Sequence, residues 1–393
     1  MLRETRGQRQ VILYGAFDRY NYGDNLMPIL LEMYFMQKHP EKYKCFDFVF
    51  SSIKGSDLSR FDCKPSVAMA QLLDVVEGST VIVVGGEVLG ADIGTLYMHV
   101  QDNKLIYRTL RAIRRFSHGA IIKIARNRYK SVWDYPYIPN KSSFSNNVKV
   151  VYNTVGGTPD ITQIKVLESA DYISVRDDRT YKALSGIPSR HLVPDSVLMV
   201  SKIADMNFIS SKVRDEIRDL LENKKIITVQ ACPYKVKFTE RELADELSTI
   251  AGNKNYTVIL LPIGYASGHD DALFLRKVKN CTENDFILLD DLTVWEIMYV
   301  IANSDVFYGT SLHGVITAMS FGVSHFCINS DITKLVSFLE TWSVAPFTKP
   351  IGVTQMAEVL DEITDESISN MKVSVERAQK IIFDSLDDIS KIL

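Results

Sequence analysis

The residues best placed to do chemistry in this chain lie around His313. It stands in the run Gly309-Thr310-Ser311-Leu312-His313-Gly314, between a short apolar stretch, Val306–Tyr308, and Val315, Ile316 and Met319 at helical spacing. That order reads as strand, tight turn, helix, with the imidazole in the first helical turn just past a strand's C-terminal end. Free backbone N–H groups and the positive end of the helix favour an anion there. A histidine at that edge can hold an anionic substrate and also pass a proton. A lone histidine reads more simply as a packed cap of its own helix, but the surrounding turn, and Lys334 following at a distance that can return it over the same edge, favour function. Arg176, delivered to the end of the apolar run Tyr172–Val175, is a second cation suited to phosphate or carboxylate. Its competing role is an ion pair with Asp177 or Asp178.

These groups need strands to carry them, and the chain supplies a βα rhythm. Val306–Ser330 runs for 25 residues without a charged side chain, a length that could span a bilayer, but Gly309, Thr310, Ser311, His313, Ser320, Gly322, Ser324 and Asn329 interrupt it. Gly322 stops the helix and Val323–Ile328 returns as a strand. At the other end, Val11–Tyr14 is a strand and Gly15–Gly23 a polar, aromatic loop; Asp24 or Asn25 can cap the helix that runs to about Lys38. Phe46–Phe50 reads as a strand, Val67–Val76 as a helix, and Thr80–Val84 as a strand ending in Gly85-Gly86, where backbone can approach a ligand closely. Further strands are expected at Val148–Asn153 and Tyr172–Val175, with a helix from about Ile161 to Ser169 between them and Asp177 capping the next.

The alternation lapses over the polar stretch Ser201–Asn223 and restarts at Lys225–Gln230. The expected organisation is therefore an N-terminal Rossmann-like domain (1–205), a second one (206–346), and C-terminal helices (347–393) crossing back to the first. In the second half the loop holding Gly264, Gly268, His269 and Asp270 falls at a ligand edge, although a solvated loop histidine is the simpler reading of His269.

Composition narrows the function. Lys and Arg number 45 against 48 Asp and Glu, so net charge does not indicate a nucleic-acid partner. Five dispersed cysteines without C-x-x-C spacing argue for a reducing compartment and against disulfides or a zinc knuckle. The apolar run Val11–Phe17 is too short for a signal peptide, and no stretch qualifies as a transmembrane helix; a cytoplasmic protein is expected. No carboxylate or histidine cluster has metal-ligand spacing, so neither metal nor cofactor is expected. Residues 104–130 differ from the rest, with nine Lys or Arg among 27 residues and no acid. Ile106, Leu110, Ile113, Ile121 and Ile124 can share one helical face there, a pattern that suits either an anionic membrane surface or an ordinary packed helix with solvated charges; Gly119 weakens a single long helix.

Five segments together carry a family resemblance: Tyr20–Asn25 (YNYGDN), Val83–Gly90 (VVGGEVLG), Tyr172–Asp178 (YISVRDD), Val193–Val197 (VPDSV) and Gly309–Val323 (GTSLHGVITAMSFGV). In this order they resemble the polysaccharide pyruvyl transferases. Where that family often has Arg before Leu-His-Gly, this chain has Ser311. The resemblance implies two parallel-sheet α/β domains facing across a cleft, as in the glycosyltransferase-B architecture. It also implies transfer of pyruvate from phosphoenolpyruvate to a sugar diol, giving a cyclic ketal on a bacterial surface polysaccharide or its lipid-linked precursor. On that reading Arg176, Gly309, Thr310, Ser311, Leu312 and Lys334 bind the donor. His313 is the acid, and Asn21, Asp24, Gly85, Gly86 and Glu87 face the acceptor. A nucleotide-sugar glycosyltransferase of the same architecture, or a silent sugar-binding protein of polysaccharide assembly, are the alternative expectations.

Overall fold

The computed structural model describes residues 7–99, 101, 103–265 and 271–393; Gly268, His269 and Asp270 lie outside them. Strands form where apolar and β-branched runs end in glycine or polar turns. In the first half these are β1 (Gln10–Tyr14), β2 (Asp47–Ser52), β3 (Val67–Ala68), β4 (Thr80–Val83), β5 (Gly86–Leu89), β6 (Lys149–Gly157), β7 (Tyr172–Val175) and β8 (Arg190–Leu192). They build one parallel sheet in the order β3-β2-β1-β4-β6-β7-β8, with β5 also paired to β6. In the second half, β9 (Ile226–Gln230), β10 (Thr257–Leu260), β11 (Ile287–Leu288), β12 (Val306–Gly309) and β13 (Ser324–Cys327) form a parallel sheet ordered β11-β10-β9-β12-β13.

Each sheet reverses its winding direction once near its middle. In the first the switch lies between β1 and β4, in the second between β9 and β12. Open α/β sheets bind ligands beyond the C-terminal ends of the strands that flank such a point. The loops after β1, β4, β9 and β12 therefore define where a site belongs before any side chain is considered.

The central strands are buried along their length, and the helix Leu312–Ser320 is buried at all nine residues. This helix packs with Tyr22–Lys38 of the first lobe, with the turn Ser196–Met199 and with the C-terminal helix, so one apolar cluster runs through both lobes. Tyr22 of the first lobe reaches Thr317 of the second through hydroxyls 2.9 Å apart. The helix Asp365–Ile392 spans both lobes: Met371 and Ile382 belong to that cluster, and Ser385 meets Tyr172 of β7 at 2.9 Å.

Three local expectations need correction. Val67–Val76 is not a helix, because Val67 and Ala68 pair with Ser51 and Ser52 as an edge strand and only a short turn, Met69–Gln71, follows. Asp24 and Asn25 do not cap the first long helix: it begins at Tyr22, and Asn21 stands at the cap position, with its side-chain amide donating to Asp24 at 2.8 Å. Residues 104–130 do not make one face of one helix. They form two helices, Lys104–Phe116 and His118–Tyr129, broken at Ser117. Leu110 and Ile121 turn inward on Met98, whereas Ile106 and Ile124 stay exposed.

Candidate active site

A cleft of about 230 Å³ opens where the two switch points face each other. Asn21, Asp24, Gly85, Gly86, Glu87, Arg176, Ser311, Leu312, His313 and Lys334 all line it. Gly309 and Thr310 do not. Gly309 is the last residue of β12, in register with Gln230, and both the Thr310 amide and its hydroxyl donate to Oε1 of Gln230, at 3.0 and 3.2 Å. The Thr310 N–H is thus bonded within the protein and is not an anion ligand.

His313 enters the cleft from the second lobe and is oriented by the first. Its Nε2 lies 3.4 Å from Oδ2 of Asp195, a contact longer than a normal hydrogen bond. Asp195 is fully buried, accepting from Arg176 Nη1 at 3.1 Å and from the Val197 amide at 3.0 Å. Burial would raise its pKa, but His313 and Arg176 hold it down at about 2, so the carboxylate stays ionised. On its other side the imidazole rests on Gly23. A Cβ at that position would stand 1.7 Å from Nδ1, so the close approach requires glycine. Gly85 meets a similar demand with φ +110° and a would-be Cβ 2.6 Å from the Met27 sulfur.

Arg176 is 1% exposed and sits in a charge network. Besides Asp195 it donates to Glu87 Oε2 at 2.7 Å, and Arg179 donates to Glu87 Oε1 at 2.6 Å. The sequence suggested Asp177 or Asp178 as its pairing partner; the near carboxylates are Glu87 and Asp195, with Asp177 4.0 Å away. Glu87 is held at about 2, burial being outweighed by Arg176, Lys334 and Arg179. Glu87 therefore buttresses the cation cluster as well as lining the cleft.

Two cations have no such partners. Lys334, in the first turn of the helix Thr333–Trp342, and Lys235, in the turn after β9, both line the cleft. Among the described residues neither ammonium has a hydrogen bond or a close ion pair; Lys334 is attracted by Glu87 and Asp24 at longer range, and Lys235 by Asp271. Burial and then the neighbouring Lys235 push Lys334 down to about 8. Two ammonium groups without close ion pairs beside a helix N-terminus repel each other, and a ligand carrying two negative groups would relieve that repulsion.

Sequence reasoning missed Asp195, Arg179, Gln230 and Lys235, and with them Asp271, which also lines the cleft. Asp195 lay within the quoted VPDSV segment, and its position after β8 was the available signal. Gln230 ends β9, Lys235 follows it and Asp271 follows β10, none of them within a motif. Only the sheet order brings them beside His313.

Known proteins supply the frame for this geometry. No curated protein matches the sequence significantly. Among solved structures, Staphylococcus aureus MnaA in a co-structure with UDP aligns over 98% of this chain and 98% of its own, at 12% identity and a TM-score of 0.53. The Neisseria meningitidis UDP-GlcNAc 2-epimerase bound to UDP-GlcNAc aligns over 97% and 100%, at 11% identity and TM-score 0.53. A putative UDP-N-acetylglucosamine 2-epimerase of Listeria monocytogenes covers 93% and 90%, at 11% identity and TM-score 0.52. At such identities the likeness is one of fold, and that fold is the two-lobed glycosyltransferase-B architecture. The sequence profile of the polysaccharide pyruvyl transferases matches residues 21–332, a span that holds every cleft residue from Asn21 to His313. With that match over most of its length, the chain belongs to the polysaccharide pyruvyl transferase family.

Proposed function

We propose that this enzyme transfers pyruvate from phosphoenolpyruvate to two hydroxyls of a sugar, forming a cyclic ketal on a surface polysaccharide or its lipid-linked precursor. The observation that carries the reading is the pair Lys235 and Lys334, without close ion pairs among the described residues, in the same cleft as His313. Phosphoenolpyruvate presents a phosphate and a carboxylate on a three-carbon frame, which suits two ammonium groups in a small cleft. A nucleotide sugar is much larger than this cleft, which falls below the ~300–1,000 Å³ usual for pockets that enclose drug-sized ligands. The family's usual arginine before Leu-His-Gly is Ser311 here, and Lys235 supports the reading as the substitute charge. His313, oriented by Asp195, delivers a proton to the departing phosphate or the donor's methylene carbon. Asn21, Asp24, Gly85 and Gly86, across the cleft on the first lobe, face the acceptor.

Residues 104–130 support a membrane setting for the acceptor. Phe116 is 92% exposed and Leu105 73%, with Ile106 and Ile124 also in water, among exposed Arg108, Arg111, Arg114, Arg115 and Lys123. Apolar tips interleaved with cations match an anionic lipid surface, each basic group near it worth about 1 kcal/mol. No helix among the described residues is long and apolar enough to cross a membrane, so the contact we propose is peripheral.

Thermal shift tests the donor. Phosphoenolpyruvate is expected to raise the melting temperature, because a ligand that binds only the native state stabilises it. UDP-, GDP- and CMP-sugars are expected to leave it unchanged. A shift with a nucleotide sugar and none with phosphoenolpyruvate replaces this reading with a glycosyltransferase.

A further inference from the structure

Ketal formation moves more protons than one group handles simply. Two C–O bonds form at the donor's central carbon, and its C–O bond to phosphate breaks. The electron pair of the C=C bond takes up a proton, turning the methylene into a methyl. Of the two protons released by the acceptor hydroxyls, one balances that methyl and the other leaves with phosphate. No oxidant or reductant is needed. Resting on the pyruvyl-transfer reading above, we propose that Asp271 is the second proton-transfer group of the cleft, accepting a proton from an acceptor hydroxyl as its oxygen attacks the donor.

The geometry sets up one oxygen of Asp271 for this role. Asp271 opens the helix Asp271–Asn280 after β10, is 1% exposed, and lines the same cleft as His313. Oδ2 accepts from Gln230 Nε2 at 2.8 Å, from the Gly264 amide at 3.1 Å and from the Ile263 amide at 3.4 Å. The orientation of Gln230 is fixed independently, since its Oε1 accepts both Thr310 groups and its Nε2 must therefore donate toward Asp271. Oδ2 is taken up by these donors, and Oδ1, buried and without a hydrogen-bond partner among the described residues, is the oxygen left to carry a proton. Among the described residues, Lys235 and Cys232, both from the segment after β9, are the charged and titratable groups facing the carboxyl, and the Cys232 side chain hydrogen-bonds to it. Burial pushes Asp271 up to about 7, against the opposing pull of Gln230 and Lys235. A base works best with its pKa near the operating pH.

The same hydrogen bonds could serve only to hold the Ile263–Gly264 turn, so the test separates structure from proton transfer. In Asp271→Asn the carboxamide oxygen can accept the same three bonds while the proton acceptor is gone. Phosphate release from phosphoenolpyruvate would be measured with a panel of methyl hexosides, from about pH 5 to about pH 9. The expected result is a kcat lower by about 10²–10⁴-fold, with the phosphoenolpyruvate-induced melting shift retained and the wild-type limb near pH 7 missing. Asp271→Glu, which keeps an acid, should retain that limb. Normal turnover by Asp271→Asn, a loss confined to KM, or an Asp271→Glu profile without the limb would overturn the assignment. If the wild type releases no phosphate and phosphoenolpyruvate gives no melting shift, the pyruvyl-transfer reading fails and this proposal with it. If the wild type is active and Asp271→Asn matches it, only the role of Asp271 fails.

Discussion

His313 Nε2 and Asp195 Oδ2 are 3.4 Å apart and come from different lobes, so the carboxylate that orients the imidazole belongs to the other half of the molecule. His313→Ala is expected to abolish turnover while leaving the donor-induced melting shift in place. Asp195→Asn removes the negative charge beside the ring but keeps the packing. Its kcat should fall by ~10²-fold or more, within the range of general acid–base catalysis. Near-normal phosphate release by either variant would remove His313 from the chemistry.

Gly23 gives a sharper probe of the same ring. Alanine there places a methyl group 1.7 Å from Nδ1, so the imidazole must rotate away. Turnover should drop about as far as in His313→Ala, while phosphoenolpyruvate still raises the melting temperature. An active Gly23→Ala enzyme would show that the ring's position is not critical.

Arg176 is expected to matter for folding more than for donor affinity. Its removal leaves the buried Asp195 without its arginine and Glu87 with only Arg179 and Lys334, and breaking a buried pair costs about 3–5 kcal/mol. Urea unfolding of Arg176→Ala should show that loss. A variant of wild-type stability that no longer binds donor would return Arg176 to the role of a donor ligand.

Lys334 makes donor binding pH-dependent. Its folded pKa, about 8, lies below the usual lysine value, because burial and Lys235 disfavour the charged form. The empty protein therefore gains stability from this group as pH rises from about 8 toward 10. An anion needs the ammonium, so donor affinity should weaken as pH rises through about 8. Titration calorimetry should also find proton uptake on binding near that pH. Lys334→Arg, charged throughout, should bind with a flatter pH profile; an unchanged slope would place the titrating group elsewhere.

Liposome co-sedimentation tests the basic hairpin. Binding to anionic vesicles should fade with salt and vanish when Arg111, Arg114, Arg115 and Lys123 become Gln. Retention of the wild type in the supernatant at low salt would make the hairpin a solvated face and point to a soluble acceptor.

Much of the frame was legible from local pattern. The uncharged run Val306–Ser330 gave β12, the helix of His313 and β13, because buried parallel strands and a buried helix tolerate few polar groups. Val67–Val76 misled because an apolar run of that length suits a helix, and only pairing with β2 decides for a strand. The lost site residues share a cause. Asp195, Lys235 and Asp271 reach His313 through the order of strands in two sheets, which no spacing along the chain encodes. Arg176 was found as a cation at a strand end, but its partner Glu87 is 89 residues away, and its ion pairs could not be foreseen.

The imidazole of His313 rests on Gly23 and faces Asp195, so its surroundings are divided between the two lobes. That division bears on how such enzymes can be recombined. A chimera that grafts the second lobe of this protein onto the first lobe of a relative would inherit the histidine without its setting. Lobe swapping should retain activity only when the segments 20–25 and 193–197 are kept matched to the lobe that carries His313. The natural seam for such grafts therefore runs through the first lobe, outside those two segments, and not along the cleft.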